Sequence, residues 1–161
     1  MAKITAESRE AFTQKSAKYK ELIKGVFAKE KELNAELQKD KSKEAEIKLQ
    51  LTEQMIYAVT LYMTINNLSV DMLGVKNEEN LNEGRKTLYK AIIYLEELVT
   101  NIIDSTADDL KEKWELLKDV PVERRYYLSR KLGLAIELIM EAYGDNSKWK
   151  WSFVELQGRF I

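Results

Sequence analysis

The chain has 161 residues, with 26 Lys and Arg against 27 Asp and Glu, one Pro, and neither His nor Cys. Those absences exclude disulfides, iron–sulfur clusters, zinc held by thiolate or imidazole, and Ser–His–Asp or Cys–His nucleophiles. Side-chain catalysis is left to carboxylate, Lys or Tyr, and no metal or cofactor is expected.

About 160 residues suit one domain with a sizeable core. Apolar residues make up 45% of the chain and charged residues 33%, the latter above the usual ~25%. Six Gly and one Pro leave little turn chemistry for a β fold, so the composition predicts an all-α protein. The start, MAKITAESREAF, has no apolar signal region, so a cytoplasmic location is expected.

The first helix is predicted over residues 5–39. Phe12, Ser16, Tyr19, Ile23, Val26, Glu30, Leu33 and Leu37 recur in steps of four and three, a coiled-coil-like seam with two polar interruptions. Residues 39–43 are all polar and form the first candidate turn, with Ser42 placed to cap a second helix. Yet the seam continues in register through Asp40, Glu44, Ile47 and Leu51 to Met72. Two architectures therefore stand: a long antiparallel helical hairpin over residues 5–73, or one very long helix projecting from a smaller bundle. The hairpin is preferred, because a lone helix would leave Phe12, Tyr19 and Phe27 exposed.

The second helix is predicted over residues 43–73. Its residues 54–70 form an uncharged run of 17, short of the ~20 apolar residues a membrane span needs. The run also holds Thr60, Thr64, Asn66, Asn67 and Ser69, so a buried central helix is expected and no membrane span. Gly74 ends it in the left-handed conformation, and Asn77 with Glu78 and Glu79 starts a third helix over residues 78–103. The third helix's apolar stripe is Leu81, Leu88, Ile92, Leu95, Val99 and Ile102, widened by Tyr89, Ile93 and Leu98.

Asp104-Ser105-Thr106 breaks the third helix, and a short fourth is predicted over residues 107–118. Pro121 leads into a fifth over residues 122–143, and Gly144 to Ser147 end it. The tail, residues 148–161, fits a short helix better than a strand, because no partner strand is evident. No internal repeat or linker divides the chain. The expected whole is a single domain of five to six helices, residues 1–161, with the hairpin at 5–73 and a C-terminal bundle at 78–161.

Charge is uneven: residues 1–50 carry net +3, residues 51–110 net −6 and residues 111–161 net +2. A basic first helix against an acidic middle suggests internal pairing.

Four constellations could carry function. Trp149, Trp151, Phe153 and Phe160 crowd the tail; Trp149 and Trp151 lie about 200° apart on a helix, so one ring can be left for a partner. Glu123 to Lys131 sets Tyr126 and Arg130 among further cations, as a ligand or base-stacking site would. Glu96-Glu97 and Asp108-Asp109 are adjacent pairs that point apart, and without His no di-iron bundle site forms. Asn66 and Asn67 sit in an otherwise apolar run, where they set register or line a pocket.

The first expectation is a non-enzymatic helical interaction or adaptor protein. It would bind a protein partner or self-associate through amphipathic helices, with Phe12, Tyr19, Phe27, Trp149, Trp151, Phe153 and Phe160 as partner-binding residues. The alternative is a small-molecule-binding protein or enzyme with a pocket at Asn66, Asn67, Tyr126 and Arg130. Nucleic-acid binding by the basic first helix is a third possibility, disfavoured by an acidic isoelectric point near 5.8.

Overall fold

The computed structural model describes residues 4–103 together with Arg130 and Gly133. The described residues are all-α. The helices are α1 (Ala6–Lys39), α2 (Glu44–Leu73) and α3 (Glu78–Ile103), with a 3-10 turn at Lys41–Lys43 between the first two. The fourth helix expected at 107–118, the fifth at 122–143 apart from its helical residues Arg130 and Gly133, and the tail at 148–161 lie outside the described residues.

α1 begins where Thr5 leaves the helix at φ −104°, ψ 163°. The Ser8 N–H donates to Thr5 Oγ1 at 3.1 Å, and the Thr5 N–H donates to Ser8 Oγ at 3.0 Å. Two of the orphan donors of the first turn are thereby satisfied reciprocally, with Ser in the place Glu usually fills. Along α1 the buried residues are Ser16, Ile23, Val26 and Leu33. Phe12, Tyr19, Glu30 and Leu37 are half-buried on the same seam. The remaining sides are wet, as a one-sided apolar stripe dictates.

The continuous seam does not make one helix. α1 stops at Lys39, and Asp40 is extended at φ −142°, ψ 95°. The Asp40 carboxylate accepts the Ser42 N–H at 3.1 Å and the Ser42 hydroxyl at 2.5 Å. These bonds hold the Asp40 carboxyl below its ordinary pKa of 3.8. Ser42 was expected to cap the second helix. Instead Asp40 is the cap and Ser42 its donor, while Lys43 enters α2 with no side-chain cap. Hydrophobic periodicity is blind to this competition, in which a short acidic side chain bonds the backbone two residues on. Lys43 Nζ also reaches back to Glu36 Oε1 at 3.6 Å.

α1 and α2 meet in two clusters. Leu33 packs with Ile47 and Leu51, with Leu37 and Tyr94 at the edge. Leu33 and Ile47 stand seven residues before and after Asp40. Farther from the break, Ile23 and Val26 pack with Ala58, Leu61, Tyr62 and Ile65, flanked by Phe12, Tyr19 and Phe27.

α2 is the central element. Leu51, Met55, Ala58, Val59 and Ile65 are completely buried, and Leu49, Ile56 and Met63 nearly so. Each large side chain removed from water in this way contributes about 1.5–3 kcal/mol. One stripe stays wet, with Tyr57 and Asn67 exposed and Thr60 and Thr64 half-buried. Those threonines donate to the carbonyls of Ile56 and Thr60 at 3.0 and 2.8 Å, so their hydroxyls are spent on their own helix.

α2 ends at Gly74, whose φ of 68° and ψ of 14° lie in the left-handed region that glycine adopts without a Cβ penalty. α3 starts from Asn77, whose Oδ1 accepts the Asn80 N–H at 3.1 Å. It buries Leu81, Gly84, Thr87, Leu88 and Ala91 toward α2. The expected stripe was wider on the other flank. Tyr89 and Ile93 face outward instead, at 47% and 37% exposure, because small residues, Gly84 and Ala91, let the helices approach closely. A methyl group at Gly84 would lie 3.0 Å from Tyr62 Cβ. The side chains of Ile92, Leu95, Leu98, Val99 and Ile102 lie outside the described residues.

Candidate functional site

The polar residues of α2 are the natural starting point for a site. Asn66 and Ser69 are one turn apart and both buried, at 6% and 3% exposure. Asn66 Oδ1 accepts the Asn77 N–H at 2.9 Å, and the Ser69 hydroxyl donates to the Val75 carbonyl at 2.7 Å. The pair therefore clamps the connection between α2 and α3. Its cost of burial is offset because each group exchanges water for a backbone partner. Asn67, one residue on, is exposed.

The other buried polar residues behave alike. Thr52 donates to the Lys48 carbonyl at 2.8 Å and Thr87 to the Glu83 carbonyl at 2.8 Å. Ser16, fully buried on the seam of α1, donates to the Thr13 carbonyl at 3.3 Å. The Tyr62 side chain is itself largely buried. Burial, and secondarily the Glu83 carboxylate, push its pKa above 10.0 and keep it neutral.

Of the residues expected to bind a partner, Phe12, Tyr19 and Phe27 are partly buried against the cluster of Ile23, Val26, Ala58 and Ile65. Trp149, Trp151, Phe153 and Phe160 lie outside the described residues. Of the expected ligand set, Asn66 is committed to the loop, Asn67 points to solvent, Arg130 is exposed on a helical residue, and Tyr126 lies outside the described residues.

Exposed large apolar side chains among the described residues include Ile4, Leu22 and Tyr57 as well as a group around α3 and the end of α2. Tyr89 and Ile93 are one turn apart on the outer side of α3, and Val70 and Val75, at 40% and 47% exposure, flank the end of α2. The periodicity had assigned Tyr89 and Ile93 to the inner stripe. The signal that could have corrected it was the small-residue pair Gly84 and Ala91, spaced seven residues apart with Leu81 and Leu88. Among the described residues no three Asp or Glu groups gather as a metal site would require. No described helix is long and apolar enough to cross a membrane.

Residues 8–161 match the TP0443 family, nearly the whole length of the sequence. The chain belongs to that family. The TP0443 match extends from the first turns of α1 past the end of α3. No curated protein and no solved structure matches the chain.

Proposed function

We propose that this TP0443-family protein is a non-enzymatic helical interaction protein, built as one domain in which α1 and α2 form a long antiparallel hairpin. The observation that carries this reading is how polarity is distributed. Buried polar side chains that could have lined a ligand site, namely Ser16, Thr52, Asn66, Ser69 and Thr87, each bond to the chain's own backbone. Apolar side chains, Ile93 and Val75 among them, stand on the surface. Among the described residues the buried polar groups thus serve the fold, while several large apolar side chains stand on the surface. Apolar anchors with a polar surround are the usual energetic basis of recognition between proteins.

The test is site-specific photo-crosslinking in the native cell, with the photoreactive residue placed at Ile93 or Val75 and, as a control, at buried Leu88. A discrete adduct from the surface positions, absent from the control, supports the reading. No adduct at any surface position, together with a strict monomer in light scattering up to about millimolar protein, would sink it.

A further inference from the structure

α1 carries an eleven-residue repeat that its seam of fours and threes conceals. Ala17-Lys-Tyr-Lys-Glu-Leu22 and Ala28-Lys-Glu-Lys-Glu-Leu33 differ at a single residue. Ala6-Glu-Ser-Arg-Glu-Ala11 keeps the same Ala, cation and Glu eleven residues earlier. Eleven residues make three turns at 3.67 residues per turn, close to the helix's own 3.6, so repeated positions drift only about 20° per repeat. Three nearly straight rows result, with members about 16 Å apart. They are an Ala row (Ala6, Ala17, Ala28), a basic row (Arg9, Lys20, Lys31) and an acidic row (Glu10, Glu21, Glu32). All nine residues are exposed. At 100° per residue the basic row lies about 60° to one side of the Ala row and the acidic row about 40° to the other.

A single chain gains little from such order. The acidic row's ion pairs within α1, Lys24–Glu21 at 3.2 Å and Lys29–Glu32 at 3.6 Å, are solvent-exposed, and exposed pairs contribute little. The order does suit a second copy. When two copies of this face meet in parallel about a two-fold axis along the helices, each basic row lies against the other copy's acidic row, on both flanks. In an antiparallel meeting basic would face basic and acidic face acidic. Between the rows the alanines alternate with Thr13 and Lys24, the latter drawn toward the acidic row by Glu21 at 3.2 Å, so the axes would approach to about 10 Å, and the eleven-residue period sets a slight right-handed winding.

We propose that the outer face of α1 is a self-complementary surface on which a second copy of this chain docks in parallel. This deepens the interaction reading by naming one partner, and it uses a face of the molecule distinct from α3 and its Ile93.

The experiment uses the full chain in sedimentation equilibrium, with two triple variants. R9E/K20E/K31E makes both flanks acidic, and E10K/E21K/E32K makes both basic. The wild type is expected to dimerise, and raising salt from about 50 mM to 500 mM is expected to weaken it, since exposed charges are screened within a few ångströms there. Each triple variant alone is expected to lose at least about tenfold in affinity, six contacts of a few tenths of a kcal/mol having been reversed. An equimolar mixture of the two is expected to recover the dimer, because acid then faces base on every flank. Circular dichroism of each variant checks that these exposed substitutions leave the helices folded.

Orientation is read by disulfides, since the chain has no Cys of its own. A6C and A28C are each expected to cross-link to themselves; cross-linking only between A6C and A28C would overturn the parallel arrangement. A wild type that stays monomeric, or triple variants that dimerise as well as the wild type, would overturn the proposal. Those outcomes leave the crosslinks expected at Ile93 and Val75 unaffected, so the two readings fail separately.

Discussion

α1 and α2 are helices of similar length, 34 and 30 residues, yet they relate to water in opposite ways. α1 buries one seam and exposes the rest, while α2 buries most of its circumference and exposes one stripe. α2 lies between α1 and α3 and packs on both, so few of its side chains reach solvent. The same helical backbone is thus held by different means, α2 by packing and α1 by one seam plus its terminal cap. The position of a residue around the axis, more than its type, sets what a substitution costs.

The widest gap should come from apolar truncation. Leu51→Ala in α2 should destabilise the fold by about 2–5 kcal/mol, since the lost transfer energy is joined by a cavity. Leu22→Ala, at a position in α1 that is 45% exposed, should stay within about 0.5 kcal/mol. Urea denaturation followed by circular dichroism measures both. Equal losses would mean that the two helices are not distinguished by burial.

Asn66→Ala should cost about 1–3 kcal/mol, because the Asn77 N–H loses its buried acceptor. The adjacent Asn67→Ala, on the exposed stripe, should be near neutral. Hydrogen exchange at the Asn77 amide would show the clamp opening in the first variant and not in the second.

Glycine separates the helices by sign. Gly84→Val should destabilise by about 1–3 kcal/mol through overpacking against Tyr62. Gly25→Ala meets nothing within 4 Å and should stabilise α1 by about 0.5–1 kcal/mol through helix propensity. Thermal melts of the two variants should move in opposite directions.

The smallest effect is expected at the break between the helices. The Asp40 carboxyl titrates below 3.8 in the folded chain because Ser42 donates to its charged form. A depressed folded pKa adds stability above the unfolded value, and that stability is lost as pH falls through the folded one. The stability difference between wild type and Asp40→Asn should therefore be constant near neutral pH and shrink below about pH 4. A difference that persists at pH 2 would assign the break to backbone preference rather than to the carboxylate.

How much was legible follows the kind of information each residue carries. The buried face of α1 could be read from Ile23, Val26 and Leu33, because helical period and apolarity together specify it. The left-handed end at Gly74 and the start at Asn77 could be read from residue chemistry alone. The inward flank of α3 could not: Tyr89 and Ile93 are apolar enough for a core, and what displaces them is the close approach that Gly84 allows. Asn66 was visible as a polar residue in an apolar run, but its acceptor role depends on a loop eleven residues away. The eleven-residue repeat was hidden by reading the chain in steps of four and three.

The sequence by itself determined the helical state, the seam of α1, the helix ends and the absence of His and Cys chemistry, all of which depend on residue type and local spacing. Only the structure showed that Asp40 and not Ser42 is the cap at the break, that Asn66 and Ser69 serve the fold, and which of the described apolar residues stay on the surface. Those outcomes depend on which groups meet outside the helical period, from Asp40 and Ser42 two residues apart to Gly84 and Tyr62 twenty-two apart. Local periodicity carries no term for such meetings.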